Sequence, residues 1–196
     1  MKVIDYVKHI SEVMPEDTLI VSSHTDNSSA LVALNLTERS FLGFNMGFAT
    51  SVGLGLALAL PHRRVLILEG DGGVLLSSGA LADLASQNPP NIIVVVADNE
   101  SSLGFPTHTS KRTDIAAMAK AAGIERTCSV RNLEEFKAEF SKALGKNELT
   151  YIVAKTERER ARLSEGVKRP LLWENKFRFV RYIEETEGIS ILTPGG

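Results

Sequence analysis

The chain has 196 residues, 43% of them hydrophobic and 23% charged, and a formal net charge of −2. That length builds one soluble domain with a sizeable core plus an appendage, and near-neutral charge without a basic stripe excludes nucleic acid as the main partner. Cys128 is the single cysteine, which excludes an internal disulfide, an iron–sulfur cluster held by this chain and a cysteine-based zinc site.

The first stretch, MKVIDYVKHISEVM, predicts an amphipathic helix with apolar Val3, Ile4, Val7, Ile10 and Met14. Its acidic residues and lack of a small-residue cleavage site argue against a signal peptide, which implies a cytoplasmic address. TLIVSS (18–23) reads as a strand and DNSSALVALN (26–35) as a helix capped by Asp26 or Asn27. A short strand over 40–42 leads to a helix from near Met46 to before Pro61, buried on most sides, whose small residues let another element come close. The uncharged run 40–61 has the length of a bilayer span. Asn45, Thr50, Ser51 and the small residues Gly47, Ala49, Gly53, Gly55 and Ala57 dilute it, so no membrane segment is expected.

RVLILE (64–69) and NIIVVVAD (91–98) are continuous apolar runs of the kind found in central parallel strands. Between them a helix is expected from about Leu75 to Gln87, stopped by Pro89-Pro90. After the loop NESSLGFPTHTSKRT (99–113) come a helix from Asp114 to Ala122, the strand IERTCSV with a buried Cys128 thiol, the helix NLEEFKAEFSKALG and the strand LTYIVAKT. Repeated strand and helix alternation predicts the α/β class, a doubly wound, mostly parallel sheet with helices on both faces. Beyond it, ERERARLSEG (157–166) reads as a charged helix, and the aromatics Trp173, Phe177, Phe179 and Tyr182 are expected to cover the domain or grip another chain. The division expected is 1–156 as the binding domain and 157–196 as a helical extension.

Gly70, Gly72 and Gly73 between a strand and a helix suggest an anion site, where free N–H groups and the helix dipole attract negative charge. Asp71, in the middle of that turn, would repel a phosphate. Asn99 follows the next buried strand; if the two strands are neighbours, both oxygen side chains lie about 5 Å apart laterally and can share a cation. Mg²⁺ suits such a pair, since it takes few carboxylates and completes its shell with phosphate oxygens and water. The spacing fits neither a dinucleotide fingerprint nor a Walker loop.

GDGG at 70–73 followed by Asp98-Asn99 resembles the signature of the thiamine-diphosphate (ThDP) enzymes, in which GDG precedes an asparagine by nearly thirty residues. The stretch 44–72, FNMGFATSVGLGLALALPHRRVLILEGDG, resembles the GSMG helix and strand of sulfopyruvate and phosphonopyruvate decarboxylases, and DNESSLGFPTHTS resembles their loop ending in a Pro-Thr pair. The resemblance runs from about Val3 to Thr156. It implies thiamine diphosphate and Mg²⁺ as cofactors, with Asp71, Asn99 and the Ser101 carbonyl as metal ligands. It further implies a cofactor-binding set of Phe44, Asn45, Met46, Gly70, Gly72, Gly73, Ser101, Ser102 and Leu103. Within that set, Gly72 and Gly73 would offer N–H groups to the diphosphate, Met46 would press under the bent cofactor, and the Phe44 carbonyl would accept from the aminopyrimidine.

In that family a second, pyrimidine-binding domain supplies the activating glutamate, and 196 residues leave no room for it. The resemblance therefore implies a β-type subunit of a heteromeric 2-oxoacid decarboxylase, with a pyrimidine-binding-domain subunit as partner, self-association and a small 2-oxoacid substrate. A ThDP-dependent carboligase subunit of the acetolactate-synthase kind, or a catalytically silent ThDP-binding scaffold, stays open. Departures from the family pattern are a shorter loop after Asn99, Glu100 where glycine is usual, and His24-Thr25 and Ser28-Ser29 in place of Thr-Gly and Ser-Arg pairs. No catalytic residue is assigned with certainty. His24 and His108, in strand-end loops, are candidates for touching substrate or relaying a proton. Lys111 and Arg112 could meet an acidic substrate tail, although exposed charges before a helix are their simpler reading.

Overall fold

The computed structural model describes residues 1–158 and 170–192. The chain runs through α1 (Val3–Val13), β1 (Leu19–Ser23), α2 (Asp26–Ala33), β2 (Ser40–Phe44), α3 (Ala49–Ala59) and β3 (Val65–Gly70). It continues with α4 (Asp71–Leu76), α5 (Gly79–Gln87), β4 (Ile92–Asp98), β5 (Ser101–Ser102) and β6 (Phe105–Pro106). After a 3-10 turn at His108–Ser110 come α6 (Ile115–Ala121), β7 (Arg126–Val130), α7 (Leu133–Leu144), β8 (Thr150–Lys155) and α8 (Leu172–Glu187).

Six strands form a parallel sheet in the order β2-β1-β3-β4-β8-β7, while β5 and β6 make a small antiparallel hairpin. Every residue of β1, β3 and β4 is buried, which explains the apolar runs Leu19–Val21, Val65–Leu68 and Ile92–Ala97: helices cover both faces. Side chains alternate along each strand. Leu66 and Leu68 join Tyr6, Ile10, Leu31 and Phe136 under α1, α2 and α7. Val65 and Ile67 join Ala49, Leu84, Ile115 and Phe179 under α3, α5, α6 and α8.

Several expectations are corrected. The helix after β3 is two helices: α4 starts at Asp71 itself, so Gly72 and Gly73 belong to its first turn, and the chain breaks at Ser77 before α5. The cap of α2 is Thr25, whose hydroxyl accepts from the Asn27 N–H at 3.3 Å, not Asp26 or Asn27. The Gly-rich helix begins at Ala49 and is not buried on most sides, for Ser51, Gly55, Leu58 and Ala59 form an exposed stripe. Its small residues do serve close packing at Gly53, where a Cβ would run into Ile67. The segment 99–113 is not a plain loop, since it contains the β5–β6 hairpin with Leu103 and Gly104 both at positive φ (53° and 88°), the two-residue turn that matches strand twist.

The charged run expected as a helix over 157–166 lies outside the described residues from 159 onward. Farther on, α8 packs against the β2 edge. Asn175, 1% exposed, accepts from the Leu42 N–H at 2.7 Å and donates to the Ser40 carbonyl at 3.0 Å. Phe179 and Ile183 face the core, while Trp173 and Phe177 are exposed on the opposite side. Cys128 is half-buried in β7, and burial pushes its thiol up to about 11. No helix among the described residues is long and apolar enough to cross a membrane.

Candidate functional site

From β1 the chain turns outward to β2, whereas β3 leads the other way to β4. Their loops part at the C-terminal ends of β1 and β3, the crevice where open parallel sheets bind ligands. A cleft of about 420 Å³ opens there. His24 and Thr25 line it from the end of β1, Gly70 to Gly73 from β3 and α4, and Asn99 and the hairpin from the end of β4.

Register puts the two carrier strands side by side, with Gly70 opposite Ala97. Asp71 and Asn99 therefore project from adjacent strand ends into one cleft. Asp71 is 2% exposed. One carboxylate oxygen accepts from the Thr107 hydroxyl at 2.5 Å and the Thr109 hydroxyl at 3.2 Å. Among the described residues no lysine or arginine pairs with it. Burial pushes its carboxyl above the ordinary carboxylate range, nearby Asp98 pushes the same way, and the threonine hydroxyls only partly oppose them. Asp98 has its own cation: Lys155, opposite it in the β4–β8 register, sits 2.5 Å away. A buried acid with hydroxyl partners and no counter-ion, beside an amide oxygen, fits a hard divalent cation bound through oxygen. Among the described residues no three His, Cys, Asp or Glu side chains gather as a cage, so such a cation would draw on amide, carbonyl and ligand oxygens.

The first turn of α4 leaves N–H groups without helical acceptors, and Gly72 and Gly73 bring that backbone to the cleft wall. Space is tight: a Cβ at Gly72 would lie 2.6 Å from Ser102 Oγ and 3.1 Å from Met46 Cε. On the other side a Cβ at Gly73 would collide with the Glu69 carboxyl. This narrow backbone suits a diphosphate approached by N–H groups. At the opposite wall the Asn99 side chain accepts from the Ser101 N–H at 2.9 Å. The residue between them, Glu100, sits at φ 57°, the left-handed region where glycine is free of strain. It pairs with Arg158 at 3.5 Å, and Arg158 also lines the cleft.

The cleft thus gathers His24, Met46, Gly70, Asp71, Gly72, Gly73, Asn99, Ser101, Ser102 and Leu103 from the sequence reading. Phe44 ends β2, and Asn45 follows it, exposed, beside Met46. His108 is exposed in the 3-10 turn; its neighbours Thr107 and Thr109, not His108, reach Asp71. Lys111 and Arg112 are exposed. Sequence reasoning missed Thr107 and Thr109, although the Pro-Thr pair marked the place, and it missed Glu69, hidden as one polar letter in an apolar strand.

Residues 34–154 match the family described as thiamine pyrophosphate enzyme, C-terminal TPP binding domain. The chain belongs to this family. The chain is 39% identical over 160 residues to the sulfopyruvate decarboxylase subunit beta of Methanocaldococcus jannaschii, covering 79% of this chain and 84% of that one. It is 33% identical over 134 residues to the phosphonopyruvate decarboxylase of Streptomyces viridochromogenes, covering 67% of this chain and 34% of the relative. Among solved structures, the benzoylformate decarboxylase of Polynucleobacter necessarius superposes with a TM-score of 0.60 at 21% identity, over 86% of this chain and 33% of that one. The 4-hydroxybenzoylformate decarboxylase of Rhodococcus jostii RHA1 gives 0.63 at 18% identity, over 82% and 33%. The solved structures share the doubly wound fold, and this chain spans about a third of their length.

Proposed function

We propose that this chain is the ThDP- and Mg²⁺-binding subunit of a heteromeric 2-oxoacid decarboxylase acting on sulfopyruvate or phosphonopyruvate. The observation that carries the reading is Asp71, a buried acid without a cationic partner among the described residues, in one cleft with Asn99, Gly72 and Gly73. Asp71, Asn99 and the Ser101 carbonyl would hold Mg²⁺. The N–H groups of Gly72 and Gly73 would bind the diphosphate, and Met46 and the Phe44 carbonyl would orient the rings. Residues 1–156 would form the binding domain and 157–196 its extension.

When bound, thiamine diphosphate supplies the electron sink that lets the carbon–carbon bond to the carboxylate break. This chain would neutralise the cofactor's diphosphate through the metal held at Asp71 and Asn99 and orient the cofactor against the cleft wall. His24, in the cleft, is the residue of this chain best situated to exchange a proton with substrate; His108 would need the 3-10 turn to move.

A partner subunit with a pyrimidine-binding domain is supported by exposed apolar side chains. Leu103 on the cleft wall, Phe105 in the same hairpin and Leu76 at the end of α4 are 79%, 74% and 69% exposed, a cost in water that an apolar partner surface relieves. The similarity to a protein named subunit beta points the same way. The test is reconstitution. With Mg²⁺, thiamine diphosphate and a pyrimidine-domain subunit, the mixture should release CO₂ from sulfopyruvate or phosphonopyruvate, and neither subunit alone should do so. Turnover by this chain alone would reject the heteromeric reading.

A further inference from the structure

Glu69 is the one acid in a strand otherwise built of Val, Leu, Ile and Gly, and it is 1% exposed. It shares the side of the sheet with Val65 and Ile67, beneath α3 and α4. Its Oε1 accepts from the Gly70 N–H at 3.1 Å, and this oxygen occupies the space that a side chain at Gly73 would need. Gly73 in turn lies against the Gly47 amide, so that a Cβ there would stand 3.2 Å from the Gly47 nitrogen. Through its own carbonyl, Glu69 accepts from the Asn27 amide at 3.0 Å, and the Tyr6 hydroxyl holds the other end of that amide. One residue therefore joins the loops after β1, β2 and β3, the segments that carry Thr25, Met46 and Asp71.

Among the described residues its second oxygen, Oε2, and the Tyr151 hydroxyl have no hydrogen bond of good geometry, while the Ser23 side chain and the Ala49 N–H also act on the carboxyl and oppose the effect of its burial. Both residues face the same narrow cavity with Gly47, Thr50 and Gly73. Buried polar groups without full partners are costly, so an acid kept at this place points to a geometric role for it.

We propose that Glu69 is the positioning residue of the cofactor turn. Its carboxyl sets the height of the first turn of α4 above the sheet, and Tyr151, which lines the same narrow cavity, limits its movement from the other side. In this way the Gly72 and Gly73 N–H groups would be held for the diphosphate and the Asp71 carboxylate for its Mg²⁺. The inference rests on the ThDP reading given above.

The experiment compares the full chain with its Glu69→Leu, Glu69→Gln and Tyr151→Phe variants by calorimetric titration with thiamine diphosphate in excess Mg²⁺. Amide hydrogen exchange at 70–73 is followed in parallel. Glu69→Leu, which keeps the volume and removes the acceptor, should weaken binding roughly tenfold to a hundredfold, the range for losing a supporting contact at a metal site, and speed exchange of the Gly70 amide. Glu69→Gln, which keeps an acceptor, should restore both, and Tyr151→Phe should weaken binding by a smaller factor. If the leucine variant does not fold, Glu69→Asp takes its place. That variant keeps the acid but withdraws it by one methylene, and the same loss is expected. Unchanged affinity and exchange in the leucine or aspartate variant would overturn the proposal, as would a glutamine variant no better than leucine. Absence of ThDP binding by the wild-type chain, both alone and mixed with the pyrimidine-domain subunit, with exchange altered as expected, would instead reject the ThDP reading and leave Glu69 as the anchor of the turn.

Discussion

The Asp71 carboxylate accepts a 2.5 Å hydrogen bond from the Thr107 hydroxyl, a residue reached only after β4 and the β5–β6 hairpin have been built. The bond clamps the loop after β4 over the first turn of α4. It satisfies one carboxylate oxygen with a neutral donor, so among the described residues the buried charge has no cationic partner.

That buried charge predicts opposite effects on binding and stability. Asp71→Asn should weaken Mg²⁺-dependent ThDP binding by roughly a hundredfold. Burial raises the folded-state pKa of Asp71 above the ordinary carboxylate value, so the folded chain binds the proton more readily than the unfolded one. Stability of the metal-free protein is then lost as pH rises through the folded pKa. At pH 7 the Asn variant should melt no lower than the wild type without metal. A thermal melt with and without Mg²⁺ checks both.

Gly72→Ala places a methyl 2.6 Å from Ser102 Oγ. Overpacking of this kind costs about 1–3 kcal/mol, and the displaced turn should lose ThDP affinity. Ser102→Gly in the same chain should recover most of the stability in urea unfolding; no recovery would mean that the Met46 contact dominates.

Asn175→Ala removes the acceptor of the Leu42 N–H and the donor to Ser40. With that edge of β2 still covered by α8, the stranded backbone groups cost about 1–3 kcal/mol. Urea unfolding should show the loss, while Phe177→Ala on the exposed face of the same helix should stay within about 0.5 kcal/mol of wild type.

The last turn of α8 carries a pH dependence. Glu184 accepts from the Leu192 and Ile191 N–H groups, each at 2.6 Å, and these bonds hold its carboxyl below the ordinary range. A depressed acid contributes stability that is present above its unfolded pKa, near 4.5, and lost as pH falls through the lower folded value. Hydrogen exchange at 191 and 192 should therefore be slow at pH 7 relative to Glu184→Gln, and the difference should vanish in strong acid.

Leu103→Asp, on an exposed turn, should leave the melting temperature of the chain nearly unchanged and weaken assembly with the pyrimidine-domain subunit. Light scattering of the mixture measures it. Assembly at wild-type strength would move the partner surface away from the hairpin.

The sequence by itself determined the parallel strands, because a strand covered by helices on both sides must be apolar at every position, as Val65–Leu68 and Ile92–Ala97 are. It also determined α1 and α7, whose buried and exposed faces repeat with the helical period, and it singled out Asp71 and Asn99 through their places at strand ends. Tertiary structure decided that β3 and β4 are neighbours, which brings those two residues into one cleft, and that β8 lies beside β4, which gives Lys155 to Asp98 and leaves Asp71 without a cationic partner among the described residues. It alone decided the break at Ser77, the Leu103-Gly104 turn, the Asn175 bridge across 133 residues and the burial of Glu69. The physical reason is one of range. Periodicity records how much of a segment is buried, whereas a polar side chain finds its partner only when distant segments have been brought to hydrogen-bonding distance by the packing of the whole sheet.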